Sequence, residues 1–163
     1  MRKLGITKNG CSVYVMATSH AAMHFADTPE LEQLVRELLP LLHAEGKNVF
    51  VENDMGRIVG HTDLVETTEK DEIVYAKRLH RKDYARFALR RDPQATTYVT
   101  VALNRRKSGE YNLVSAWIGG IAPPLPGDRR ATADSKSFWK KHALVWGRQK
   151  IQEGTIAKTW PWD

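Results

Sequence analysis

From residue 77 to residue 91 the chain reads KRLHRKDYARFALRR, a run of cations with aromatic rings set among them. Lys77, Arg78, Arg81, Lys82, Arg86, Arg90 and Arg91 carry positive charge, His80 adds an imidazole, and Tyr84 and Phe87 add flat rings. Ammonium and guanidinium groups in such a run suit charge-assisted hydrogen bonds to phosphate oxygens, and arginine can donate two at once. Rings among them suit stacking on bases, although Tyr84 and Phe87 serve equally well as anchors to a core. The pattern points to an anion, and first of all to a phosphate chain. The plainer alternative is a solvated basic face.

Other residues offer acid–base or electrostatic help. His61 lies in IVGHTDLVET, where alternation places it on one strand face with Asp63, and a neighbouring carboxylate can hold an imidazole in one tautomer. Thr100 and Ser115 are hydroxyls on two strands and could meet a non-bridging phosphate oxygen, or simply pair across the sheet. Lys77 ends its strand where the basic run begins, so its ammonium could face a pentacoordinate phosphate. His20 and His24 share a helical face in HAAMH, but Ala21 stands where a zincin helix needs Glu. No metal site is expected there, and no cofactor anywhere. Walker, dinucleotide and nucleophile-elbow motifs are all missing, and the carboxylates are scattered. Phosphodiester chemistry, if any, would then be metal-independent, with the RNA 2′-hydroxyl as nucleophile.

These groups need elements to hold them. Residues 1–26 read as a weakly patterned leader, in which CSVYVMA is a candidate short strand. Over 27–46, DTPELEQLVRELLPLLHAEG reads as a helix with Asp27 or Thr28 as cap, a leucine stripe at three-and-four spacing, and Pro40 as a kink or stop. After Gly46 the period becomes two. KNVFVEND, RIVGHTDLVET, DEIVYAKR, TTYVTVALN and YNLVSAWIGG read as about five strands, the last two a hairpin across RRKSGE. Val99, Val101 and Leu103 should share one face. In the last strand Val114, Ala116 and Ile118 should oppose Leu113, Ser115 and Trp117. The conformation of residues 79–92 stays open between loop and helix. A proline-rich loop, a short helix over SKSFWKKHALVW and a tail pinned by Trp160 and Trp162 complete residues 120–163. The expected class is α+β: an N-terminal helix, an antiparallel sheet over 47–119 and a short C-terminal helix, all in one domain.

Composition agrees. Hydrophobic residues make up 42% and charged residues 27% of the 163, which is globular usage. The single cysteine, Cys11, cannot form an internal disulfide, which fits a reducing, cytoplasmic setting. No signal peptide and no membrane span are expected. The net charge of +6 is concentrated: Lys77 to Lys107 holds ten Lys or Arg against two Asp, and the remaining chain holds 15 against 17 acids. A concentrated patch orients a polyanion as well as attracting it.

Around VYAKRLHRKDYARF, YVTVALN and YNLVSAWIGG the chain distantly resembles the superfamily of small metal-independent ribonucleases that groups barnase, EndoU, colicin ribonucleases and RelE-type toxins. The resemblance covers roughly residues 47–119. It implies RNA lying on a curved sheet, with Lys77, Arg81 or Arg86 toward phosphate, Thr100 or Ser115 as the sheet hydroxyl, and His61 or His80 as the acid–base group. Arg78, Lys82, Tyr84, Arg90 and Arg91 would line the RNA. A toxin-like ribonuclease would also have a cognate inhibitor protein as a candidate partner. Against this stand a non-catalytic module that binds nucleic acid or an acidic partner, and an interaction protein that docks through its aromatic surface.

Overall fold

Val99, Val101 and Leu103 alternate with Tyr98 and Asn104 along one strand, and the first three are buried while the other two face solvent. That strand sits in a computed structural model that describes residues 1–163. The elements run β1 (Arg2–Ile6), β2 (Ser12–Val15), α1 (His20–Asp27), α2 (Pro29–Leu38), a 3-10 turn (Leu39–Leu41), β3 (Asn48–Asp54), β4 (Gly60–Thr62) and β5 (Leu64–Glu66). They continue with β6 (Ile73–Lys77), β7 (Tyr84–Ala88), β8 (Gln94–Thr96), β9 (Tyr98–Arg105), β10 (Tyr111–Ile118), α3 (Ala133–Lys141) and β11 (His142–Val145). The class is α+β. No helix is long and apolar enough to cross a membrane. Where one domain is expected, the chain gathers into two compact units, Met1–Gly60 with Ala95–Ile121 and His61–Gln94 with Ala122–Asp163.

In the first unit five strands lie in the order β1-β2-β10-β9-β3. The sheet is mixed rather than wholly antiparallel, because β2 and β10 run parallel. Helices α1 and α2 cover one face, and Phe25, Leu31, Leu34, Val35 and Leu38 pack there with Val13, Val99, Val101 and Leu113. Residues 1–26 are no loose leader. They form a hairpin and a helix capped by Ser19, whose hydroxyl accepts the Ala22 N–H at 3.1 Å. The hairpin hid in RKLGI because only Leu4 points firmly inward.

The helix expected to Gly46 ends at Leu38. Pro40 has no N–H for the Arg36 carbonyl, so the last turn tightens to 3-10. Beyond it, Asn9 accepts the Ala44 N–H and donates to the Ala44 carbonyl, which fixes this stretch against the β1–β2 turn. A bulge at Val114 overturns the expected faces of β10. Leu113 pairs with Leu103 but Ser115 pairs with Ala102, so Leu113 and Ala116 are both buried and Val114 is exposed.

The second unit has the sheet β5-β11-β7-β6. RIVGHTDLVET is two strands, not one. The break falls at Asp63, whose carboxylate takes Arg148 at 3.0 Å and whose carbonyl takes the Val145 N–H. The open question over 79–92 is resolved as a hairpin: β7 pairs antiparallel with β6, and Ala85, Phe87 and Ala88 are buried. The C-terminal helix stops at Lys141, and HALV becomes β11 between β5 and β7 because Ala143 and Val145 fill the core beside Val65 and Ala88. Trp162 is buried, edge-on to Tyr75 at 5.5 Å and to Trp160 at 4.8 Å.

Truncation of that ring should be felt across the second unit. Trp162→Ala is expected to lower stability by about 3 kcal/mol, read from urea unfolding, with Trp162→Phe recovering part of the loss.

Candidate anion-binding cleft

Six residues separate β6 from β7, and five of them, Arg78 and His80 to Asp83, make one wall of a cleft. Gln152 shapes this turn by donating its side-chain amide to the carbonyls of Arg78 (3.0 Å) and Arg81 (2.7 Å), while the Leu79 N–H reaches the Lys150 carbonyl at 3.1 Å. His80 adopts a left-handed backbone, φ 65°, which is uncommon for a side chain with a Cβ. The other wall is Gly127–Arg130. Asp128 turns it by accepting the Arg130 N–H at 2.8 Å. The cleft between them encloses about 470 Å³.

Asp83 joins the walls. Its Oδ1 accepts the Trp162 indole N–H at 3.0 Å, and a Cβ at position 127 would fall 2.3 Å from that same oxygen. Only glycine lets the backbone approach so closely.

The lining carries five cations, Arg78, Arg81, Lys82, Arg129 and Arg130, against Asp83 and Asp128, with His80 beside them. Arg130 is held by Asp128 at 3.3 Å, and this contact, with the Arg130 N–H, keeps the Asp128 carboxyl below the usual range. Arg78, Arg81, Lys82 and Arg129 make no ion pair within 4.0 Å. Arg78 is half-buried, and its Nε has no hydrogen-bond partner. Burial first, then repulsion from Arg81, pushes its guanidinium below the ordinary value, and Asp83 only partly offsets this. A desolvated, under-satisfied guanidinium beside three unpaired cations favours an incoming anion.

The remaining sequence candidates are spread elsewhere. Lys77 lies 5.1 Å from the Tyr84 ring centroid, so this pair forms a cation–π contact at the hairpin. Arg86 is inside: it donates to Thr67 Oγ1 at 2.9 Å and to the His142 carbonyl at 3.0 Å. Arg90 pairs with Glu72, and Arg91 with Asp71 at 2.9 Å. These two follow the far end of β7, roughly 17 Å along a five-residue strand. His61 is exposed, and its expected partner Asp63 is engaged by Arg148. Thr100 and Ser115 belong to the first unit, where Thr100 is fully buried and donates to the Gly119 carbonyl at 2.7 Å. Sequence reading missed Gly127–Arg130. Its signal was present as GDRR, two cations after a Gly-Asp pair, but the prolines before it made the stretch look like a mere connector.

Comparison with family models, with curated proteins and with solved structures finds no match.

Two outcomes test the geometry. Gly127→Ala should cost about 1–3 kcal/mol, as overpacking does, measured by chemical unfolding; an unchanged midpoint would show that Asp83 does not hold the walls. Asp71 is kept below the usual carboxylate range by the Thr68 N–H and then by Arg91. A lowered folded pKa contributes stability that is present above the unfolded value and lost as pH falls through the folded one. Asp71→Asn should therefore destabilise at neutral pH and flatten the acid limb of the stability profile.

Proposed function

We propose that this protein binds RNA by its phosphate chain through the cleft of the second unit. The observation that carries the reading is the set Arg78, Arg81, Lys82 and Arg129, which share one concavity and make no ion pair within 4.0 Å. A surface kept only for solubility has no reason to half-bury a guanidinium and leave its Nε without a hydrogen-bond partner. A cognate inhibitor protein would bind the same cleft with carboxylates in place of phosphates.

A second reading, metal-independent cleavage, is favoured by His80, whose imidazole lines the same cleft. In that reaction the 2′-oxygen attacks phosphorus while the imidazole takes its proton. The bond to the 5′-oxygen breaks, and that oxygen is protonated from solvent. Arg78 and Arg81 stabilise the added charge on the phosphorane.

Fluorescence anisotropy with a labelled single-stranded RNA tests binding. With four cations on phosphates, the logarithm of affinity should fall against that of salt with a slope of about −3. Arg81→Gln, Lys82→Gln and Arg129→Gln combined should reduce that slope by about 2. Arg86 is left intact because its loss would strand the His142 carbonyl. A flat salt profile, or the same profile for both proteins, would remove the proposal. RNA that stays intact with the wild-type protein in EDTA removes cleavage alone; cleavage lost in His80→Ala supports it.

A further inference from the structure

The sheet of the first unit ends at β3, which pairs with β9 and with no other strand. Two backbone bonds flanking that ladder set its phase. The Arg105 N–H reaches the Lys47 carbonyl and the Met55 N–H reaches the Thr97 carbonyl, each at 2.8 Å. Antiparallel bonding alternates along a strand, so Val49, Val51 and Asn53 turn their N–H and C=O toward β9. Asn48, Phe50, Glu52 and Asp54 turn theirs outward, where no other backbone group meets them.

The opposite edge of the sheet is guarded. A bulge interrupts β1 between Lys3 and Gly5, and the Arg36 guanidinium takes the Leu4 carbonyl at 2.8 Å. Devices of this kind keep edge strands from pairing. β3 has none of them: it follows β9 in register from Asn48 to Asp54, without bulge or proline. Near its middle Phe50 is 54% exposed and stands edge-on to Trp117 at 5.8 Å. A long, regular edge carrying an exposed ring is an aggregation hazard unless something pairs with it.

We propose that β3 pairs with β3 of a second copy, antiparallel about a two-fold axis at Phe50, so that one sheet runs through both molecules. The strand KNVFVEND complements its own reverse. At the axis each Phe50 exchanges its outward N–H and C=O with the other, and the two rings meet between their Trp117 neighbours. Asn48 falls opposite Glu52 of the second copy. Glu52 accepts the Ile121 N–H on Oε2 at 2.8 Å, which leaves Oε1 for that amide. Val49 falls opposite Val51, and Lys47 comes beside the acidic end of the second strand. Other centres fit less well. An axis at Val51 sets Phe50 against a carboxylate, and one at Glu52 sets two carboxylates together. Because the bulge and Arg36 close the β1 edge, the assembly stops at two copies instead of growing into a fibre. The pairing uses the first unit alone and owes nothing to the cleft.

Sedimentation velocity of the full chain, without nucleic acid and over a wide concentration range, should show monomer and dimer and nothing larger. Phe50→Pro removes the ring and one outward N–H but no bond to β9, and edge strands tolerate proline in that orientation. It should abolish the dimer. Asn48→Lys should tighten the dimer about fivefold, since a new cross-strand ion pair with Glu52 would occur twice. Asn48→Glu should weaken it by a similar factor. Both keep Phe50, so they decide the matter should Phe50→Pro not fold. A monomer at every concentration overturns the proposal. So does a dimer that survives Phe50→Pro in a folded protein, or one indifferent to both charges at position 48. Species larger than a dimer overturn it too, because the edge would then join a different surface.

Discussion

One carboxylate holds the second unit's chemistry in place. Asp83 takes the indole N–H of Trp162, lies against the backbone of Gly127, and adds a favourable field at Arg78. Through it the basic turn, the loop after the prolines and the last residues of the chain meet at one point. Its second oxygen is buried without a hydrogen-bond partner, which is costly for a charged group unless nearby cations compensate. Arg78 supplies that compensation and in turn has its own Nε unsatisfied. Burial and the neighbouring Arg81 both disfavour the Arg78 charge, and the field of Asp83 offsets this only in part.

Much of the framework was legible because period-two alternation is strong where one sheet face is buried. β9 buries Val99, Val101 and Leu103 as its pattern requires, although Thr100 on the opposite face is buried as well. β10 departs from its pattern, because a bulge at Val114 inserts one residue without any signal in YNLVSAWI, and every side chain after it changes face. HALVW looked helical because it continues an amphipathic helix without a stop signal. It is a strand because the slot between β5 and β7 selects small and β-branched residues, a tertiary preference that local propensity does not report. The first hairpin was obscured for the opposite reason: it buries so little of β1 that its apolar pattern reduces to Leu4.

The site was half legible. The basic run named one wall of the cleft, since Arg78, His80, Arg81 and Lys82 all line it. The other wall comes from more than forty positions further on, and nothing local to GDRR says what it faces. Thr100 and His61, chosen by type, fared differently, because type does not reveal occupancy. Thr100 is engaged by a backbone carbonyl, and Asp63 by an arginine from far along the chain.

The charge run itself shows how a linear count overstates a surface. Pairing of Ile73 with Ala88 places the acids that precede β6 beside the arginines that follow β7, so Glu72 takes Arg90 and Asp71 takes Arg91. Arg86 points inward from the middle of β7, and Lys77 settles over Tyr84. What remains unpaired is the turn end of the hairpin, Arg78 to Lys82. An antiparallel hairpin with opposite charges at its open end neutralises that end by construction and leaves the charge at its turn. Acids before the first strand and bases after the second are readable in sequence once the hairpin is recognised. The hairpin therefore decides which cations can face a ligand, and the second cationic loop decides that they do so from two sides.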